Sequence, residues 1–340
     1  MCLNRSVSII GVVLAEIPHT WQEHNQLPHL ETLRSTPAIS EAMLQKIRES
    51  KPSFEVGMNE MFEGMSLHDA QQLMGVLKNP KPSQLPVKIQ DPMDLPTDFD
   101  ARTKWPQCAS INEIRDQANC GRLYIYVLGF LHHLSFVYVV RAHKMNCASS
   151  VPITIHPKYS CWAFGSVEAL TDRFCIASNG TKTPHLSAQD LTSCNIIEDH
   201  GCNGGIPELA WGYMKLNGVV TGGNYGDKSM CYSYQLAPCA HHINGSKYPA
   251  CPDEVPTPTC ARKCIDDGAA WEGDKHHAAT AYSVCGNETT ANSEGACAEA
   301  MAQEIFANGP ITAMFFVHQS FLAYKSGVYH HNLFNDPMLV

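Results

Sequence analysis

The sequence predicts an α+β fold, and three observations predict it. Helical patterns recur along the chain, while extended patterns gather near its end, at Ile311 to Val317 and Gly327 to His330. Hydrophobic residues make up 44% and charged residues only 17%, enough to fill a core without long disordered tracts. From Leu95 onward the chain becomes loop-rich and cysteine-rich, with most of its fifteen cysteines, so covalent ties are expected to supplement that core.

The elements follow in order. Arg5 precedes an apolar run from Val7 to Leu14 that closes on Val13-Leu14-Ala15, the form of a short secretory signal over residues 1–15. Pro37 to Glu49 reads as an amphipathic helix, with Ser40 as cap and Met43, Leu44 and Ile47 on one face. Ser66 to Leu77 repeats the pattern through Leu67, Ala70, Leu73, Met74 and Leu77. Prolines then crowd Asn79 to Pro96, an exposed and cleavable boundary. Cys161 to about Ala177 is the clearest helix, Pro207 to Asn217 a second stopped by Gly218, and residues 297 to 307 a third ended by Asn308-Gly309-Pro310. The organisation expected is a signal over 1–15, an N-terminal segment over 16–94 and a cysteine-rich domain over 95–340.

A net charge of −9 and a pI near 6.0 argue against nucleic acid or an anionic membrane surface as partner. Seventeen histidines make that charge shrink below roughly pH 6. The cysteine count fits an oxidising compartment better than zinc, since only Cys260 and Cys264 approach a metal-knuckle spacing and no second knuckle accompanies them. Sequons at Asn179, Asn244 and Asn287 fit the secretory pathway.

The chemistry centres on Ser160-Cys161-Trp162-Ala163-Phe164-Gly165. A cysteine at a helix start is placed to be a nucleophile, because the helix N-terminus favours the thiolate. With residues 122–159 set aside, the chain reads Gln117-Ala118-Asn119-Cys120-Gly121-Ser160-Cys161-Trp162-Ala163-Phe164. That string resembles the active-site signature of the papain family of cysteine proteases. Asp98 to Arg102, Trp105 to Cys108, and Gly201-Cys202-Asn203-Gly204-Gly205 are similar to the cathepsin B-like branch of that family.

The resemblance implies a papain-like two-subdomain fold, with a helical left half and an incomplete β-rich right half, preceded by a propeptide. It implies a cysteine-type peptidase with endopeptidase and C-terminal dipeptidase activity and no cofactor or metal. Cys161 would be the nucleophile, and Gln117 and the Cys161 N–H the oxyanion donors. Gly121, Trp162, Asn203, Gly204 and Gly205 would line the substrate cleft. Cys239 to Cys251 resembles an occluding loop, with His241 and His242 taking a substrate's C-terminal carboxylate and Asp116 anchoring the first of them. His276-His277 has no such context and reads as solvated surface. Gly57, Asn59 and Phe62 match a propeptide motif. Partners implied are peptide or protein substrates, the chain's own propeptide as inhibitor, and cystatin-like inhibitors, in a lysosomal, vacuolar or extracellular setting. The disulfides implied are Cys108–Cys175, Cys120–Cys202, Cys231–Cys264 and Cys239–Cys251, with Cys194–Cys260 and Cys285–Cys297 from the remaining cysteines; Ser193 and Glu198 replace one family bridge.

Two departures set the expectations apart from the family. Residues 122–159 are foreign to it, aromatic and apolar over 123–140, and are expected to displace Gln117 from Cys161. The reading preferred for them is a retained intron whose junction codons would rejoin as one serine, over a membrane span, which His132, His133 and Ser135 disfavour. After Ser326-Gly327-Val328-Tyr329-His330 neither the Gly-Gly-His nor the Asn-Ser-Trp motif of the family occurs, so residues 1–340 are expected to show little turnover. The alternative is a non-catalytic paralogue acting as a binding or decoy protein.

Overall fold

The computed structural model describes residues 30–74, 76, 85–89, 93–96, 99–120, 160–195, 200–240, 247–252, 255–284, 294–313, 317–327, 329–330, 336 and 339. The signal, residues 122–159 with their 123–140 run, His241, His242, Asn244, Cys285, Asn287 and Gly121 lie outside these residues.

The N-terminal segment builds the first core. Helices α1 (Leu30–Ser35), α2 (Glu41–Glu49) and α3 (Leu67–Gln72) flank strand β1 (Phe54–Val56). Ser40 caps α2, its Oγ accepting from the Met43 N–H at 3.3 Å, and Leu44 and Ile47 point inward. The helix therefore starts at Glu41 rather than Pro37, because Pro37 is drawn into a bridge with Ser66. α3 opens on a reciprocal box between Ser66 and Asp69. It stops well before Leu77, because the chain turns out to pair Val76 with Gly205.

This segment does not close on itself. β1 pairs antiparallel with β2 (Tyr324–Gly327) near the far end of the chain, Phe54 opposite Gly327. Phe54, Phe62, Met65 and Leu67 share a core with Val317, Phe321, Leu322, Tyr324 and Tyr329. Gly57 N–H donates to the Ala323 carbonyl at 3.0 Å. The late strand thus lies at 324–327, not 327–330, and is ended by Gly327 at φ +91°. The strand expected at 311–317 is absent from its described residues 311–313 and 317. There the Thr312 hydroxyl accepts from Trp211 Nε1 at 3.0 Å and donates to the Gly165 carbonyl at 3.2 Å, a side-chain role in place of a ladder.

The second core surrounds helix α5 (Cys161–Ala177), which follows the short α4 (Ala101–Lys104). Against α5 pack α6 (Ala188–Cys194) and α7 (Pro207–Leu216), through Trp162, Val167, Leu170, Leu191, Ala210 and Met214. α7 carries proline in its first turn and ends before Gly218 at φ +69°. α8 (Glu294–Asn308) is longer than its 297–307 pattern and terminates at Gly309, φ +98°, followed by Pro310.

Disulfides join Cys108–Cys175, Cys120–Cys202, Cys194–Cys260, Cys231–Cys264 and Cys239–Cys251, and Cys297 is also disulfide-bonded. The linker is exposed at Val87 and Ile89 but is not loose. Lys88 N–H donates to Ser283 O and Ser283 N–H to Pro86 O, each at 2.9 Å. No helix among the described residues is long and apolar enough to cross a membrane.

Candidate active site

Cys161 is the first residue of the 17-residue α5, half-buried and outside the disulfides. That places its sulfur at the helix end whose backbone N–H groups favour an anion. Trp162 beside it is 1% exposed and donates from Nε1 to the Gly201 carbonyl at 3.0 Å. Its ring lies directly under Gly205, where an added Cβ would fall 2.4 Å from the indole. Trp162 is therefore the buried floor of the glycine strip rather than a surface contact. Gly204, at φ +94°, follows the short turn 201–203 that carries Asn203 and leads into Gly205 over Trp162. The Thr257 hydroxyl accepts from the Cys202 N–H at 2.8 Å and fixes that turn.

The Gln117 segment is tied to the same turn through Cys120. Asp116 Oδ1 accepts from the Ala118 N–H at 2.8 Å and holds Ala118 at φ +51°, a conformation that a residue with a Cβ adopts only at a cost. The described contact of Asp116 is thus this turn, while its expected partner His241 lies outside the described residues. The Cys120–Cys202 bond then ties the Gln117 segment to the glycine strip. Asn119 Nδ2 donates to the Pro252 carbonyl, linking that segment to the loop closed by Cys239–Cys251.

The Tyr234 hydroxyl donates to the Gln117 carbonyl at 2.8 Å and meets Ser160 Oγ at 3.1 Å, so the chain on either side of 121–159 converges on one oxygen. Gln117 Oε1 is buried with no hydrogen-bond partner among the described residues.

Three of the described histidines, His185, His276 and His277, have contacts of their own. His185 sets Nδ1 against Gly222 O at 2.6 Å and Nε2 against Glu113 at 2.8 Å. His276, read as surface, is half-buried, because its backbone pairs with Val219 and its ring stands edge-on to Phe174. Burial holds its imidazole below the usual range. His277 is the exposed member, with Nδ1 at 3.2 Å from Lys215 O.

Two carboxyls on α5 titrate unusually: burial pushes Glu168 up to about 7 and Asp172 up to about 6. Asn179, exposed just past the end of α5, accepts from Gln107 Nε2 at 3.1 Å. Among the described residues the one group of metal-ligand type is Cys231, Cys264 and Asp267, and both of its sulfurs are spent in a disulfide.

Tyr234 and Thr257 escaped the sequence reading. Neither lies in a motif, and only the return of distant loops brings them to the site.

The family model for papain family cysteine proteases matches residues 159–338. The chain belongs to that family. A cathepsin B-like cysteine proteinase of Caenorhabditis elegans is 38% identical over 240 residues, covering 70% of this chain and 57% of the relative. One of Schistosoma japonicum is 36% identical over 273 residues, covering 78% of this chain and 66% of the relative. The chain thus spans roughly three-fifths of these papain-family relatives. The solved structure of proCathepsin B S9 from Trypanosoma congolense shares the fold, with a TM-score of 0.62 at 23% identity over 89% of this chain and 80% of that one.

Proposed function

We propose that this papain-family chain acts on peptide and protein carbonyls by thiol attack, with Cys161 as nucleophile and Gln117 as oxyanion donor. The observation that carries the reading is the convergence of the Gln117 segment and the start of α5 on Tyr234, despite the residues between them. Attack by the Cys161 thiolate forms a sulfur–carbon bond and moves the carbonyl electron pair onto oxygen. The Gln117 amide and the Cys161 backbone N–H meet that charge. Release of the amine requires a proton donor, for which the family uses a histidine whose motif does not occur in residues 1–340. Residues 1–340 therefore supply the nucleophile and oxyanion half of the chemistry.

Residues 16–94 are a propeptide inhibitor in this reading. Its support is the parallel pairing of Val76 with Gly205, which occupies the strand position a substrate backbone would take. Endopeptidase and C-terminal dipeptidase activities follow with the occluding loop 239–251. The disulfides favour the secretory pathway and a lysosomal, vacuolar or extracellular destination.

Expression of residues 1–340 and exposure to a small vinyl sulfone, too short to need the strand position beside Gly205, tests this directly. Modification at Cys161, abolished in Cys161→Ala, with little peptide hydrolysis, is the expected result. Robust hydrolysis would contradict the half-site reading, and absence of labelling would favour a non-catalytic paralogue that binds without reacting.

A further inference from the structure

We propose that Tyr234 is the positioning residue of the oxyanion site, setting the Gln117 peptide in register with the first turn of the Cys161 helix. The inference rests on the reading of Cys161 and Gln117 given above and deepens it.

The hydrogen-bond order is fixed by chemistry. A carbonyl oxygen only accepts, so Tyr234 O–H donates to Gln117 O at 2.8 Å. The phenolic oxygen is then left with lone pairs, and Ser160 Oγ at 3.1 Å donates to it. The chain Ser160 to Tyr234 to Gln117 is therefore directional, and it joins the residue before the nucleophile to the oxyanion donor. Ser160 is 0% and Tyr234 4% exposed, so water does not compete for either bond. Ser160 Oγ makes no capping bond to its own helix, which leaves it available for this contact.

Tyr234 is itself held rigidly. Its N–H donates to Gly223 O at 3.0 Å, and its ring stands edge-to-face on Phe164, 4.9 Å between centroids at 84°. Phe164 lies in the first turn of α5, so the tyrosine moves with the nucleophile helix. Burial pushes the phenol well above its usual range, and it remains a donor at any working pH. The need for such a tie is particular to this sequence. The covalent path from Gln117 to Cys161 runs through 121–159, so the backbone alone cannot fix their register, whereas oxyanion donors must be placed within about an ångström.

The test uses residues 1–340 as wild type, Tyr234→Phe, Gln117→Ala and the double variant. Two reagents act on Cys161. Iodoacetamide forms a sulfur–carbon bond with loss of iodide and creates no oxyanion. A small N-acyl amino aldehyde, too short to need the Gly205 strand, adds the thiol to its carbonyl. Sulfur bonds to carbon there, the π pair moves onto oxygen in the oxyanion site, and the thiol proton ends on that oxygen or in solvent. Aldehyde affinity, read as protection of Cys161 from iodoacetamide, is compared with the alkylation rate of the same variant.

Tyr234→Phe is expected to weaken aldehyde binding relative to alkylation by about 10- to 100-fold. In the Gln117→Ala background it should add less than about threefold, because the positioned donor is already gone. An equal ratio in wild type and Tyr234→Phe, or the same loss in both backgrounds, would overturn the proposal. A wild type that the aldehyde does not protect would instead sink the underlying functional reading, a different pattern. Should Tyr234→Phe fail to fold, Ser160→Ala removes the donor to the phenol and is expected to shift the ratio the same way by about 2- to 5-fold; no shift counts against the proposal.

Discussion

Val76 pairs in parallel with Gly205, the residue that lies on the buried Trp162 ring. The N-terminal segment and the Cys161 helix therefore meet across one glycine. A methyl group there has nowhere to go: its Cβ would stand 2.4 Å from Cδ2 and 2.5 Å from Cε2 of an indole that is 1% exposed. Gly205→Ala is expected to cost about 1–3 kcal/mol and to lower the melting temperature by several degrees. It should also loosen the Val76 contact, read as faster limited proteolysis in the flanking segment. An unchanged melting curve would mean that the ring shifts at no cost, and that the glycine is not required by packing.

Glu304 is the second junction between the segments. Its fully buried carboxylate accepts from Lys88 Nζ at 2.9 Å, Arg173 at 2.9 Å, Tyr282 at 2.5 Å and Asn308 at 3.1 Å. Burial alone would raise this carboxyl, yet Tyr282, Lys88 and Arg173 outweigh it and bring it down to about 2. Glu304→Gln leaves two cations facing a neutral group and is expected to cost about 3–5 kcal/mol. Because the folded carboxyl is the more acidic, its contribution is present above the unfolded value near 4.5 and is lost as pH falls from there toward 2. Denaturant melts of wild type and variant should therefore converge toward pH 2. Lys88→Met is a milder break, expected to free residues 85–88 while leaving the Arg173 pair in place; equal protease sensitivity of Lys88→Met and wild type would refute that anchoring role.

Periodicity and local chemistry made much of this legible. Helix α5 spans the residues its pattern marks, Ser40 and Ser66 cap the helices they precede, and Gly218 and Gly309 end theirs. These are short-range effects, written within a few residues of each other. What was not legible depends on distant partners. α3 yields its last turn to the Val76–Gly205 pairing, residues 311–313 forgo a ladder for Thr312's bonds, and the late strand is placed by β1, far away in sequence. The bond from the Tyr234 hydroxyl to the Gln117 carbonyl was not legible either, because Tyr234 carries no local signal.

Glu168 and Asp172 give the last prediction, with the opposite sign to Glu304. They lie one turn apart on α5, and burial pushes them up to about 7 and about 6. Arg115 opposes the rise in both, while Glu113 adds to it. Between the unfolded values, 4.5 for Glu168 and 3.8 for Asp172, and these folded ones, the native state binds more protons than the unfolded chain. Stability therefore falls as pH rises through about 4.5 to 7. Glu168→Gln stays neutral and keeps the side chain's shape, so it is expected to gain on the order of 2 kcal/mol at pH 8 and almost nothing at pH 4.5. Thermal melts at half-unit pH steps read the difference directly. Parallel curves for wild type and variant from pH 4.5 to 8 would show that Glu168 ionises without cost in the folded protein. A diverging pair would show that ionising Glu168 costs the folded chain stability above pH 4.5, opposite in sign to Glu304.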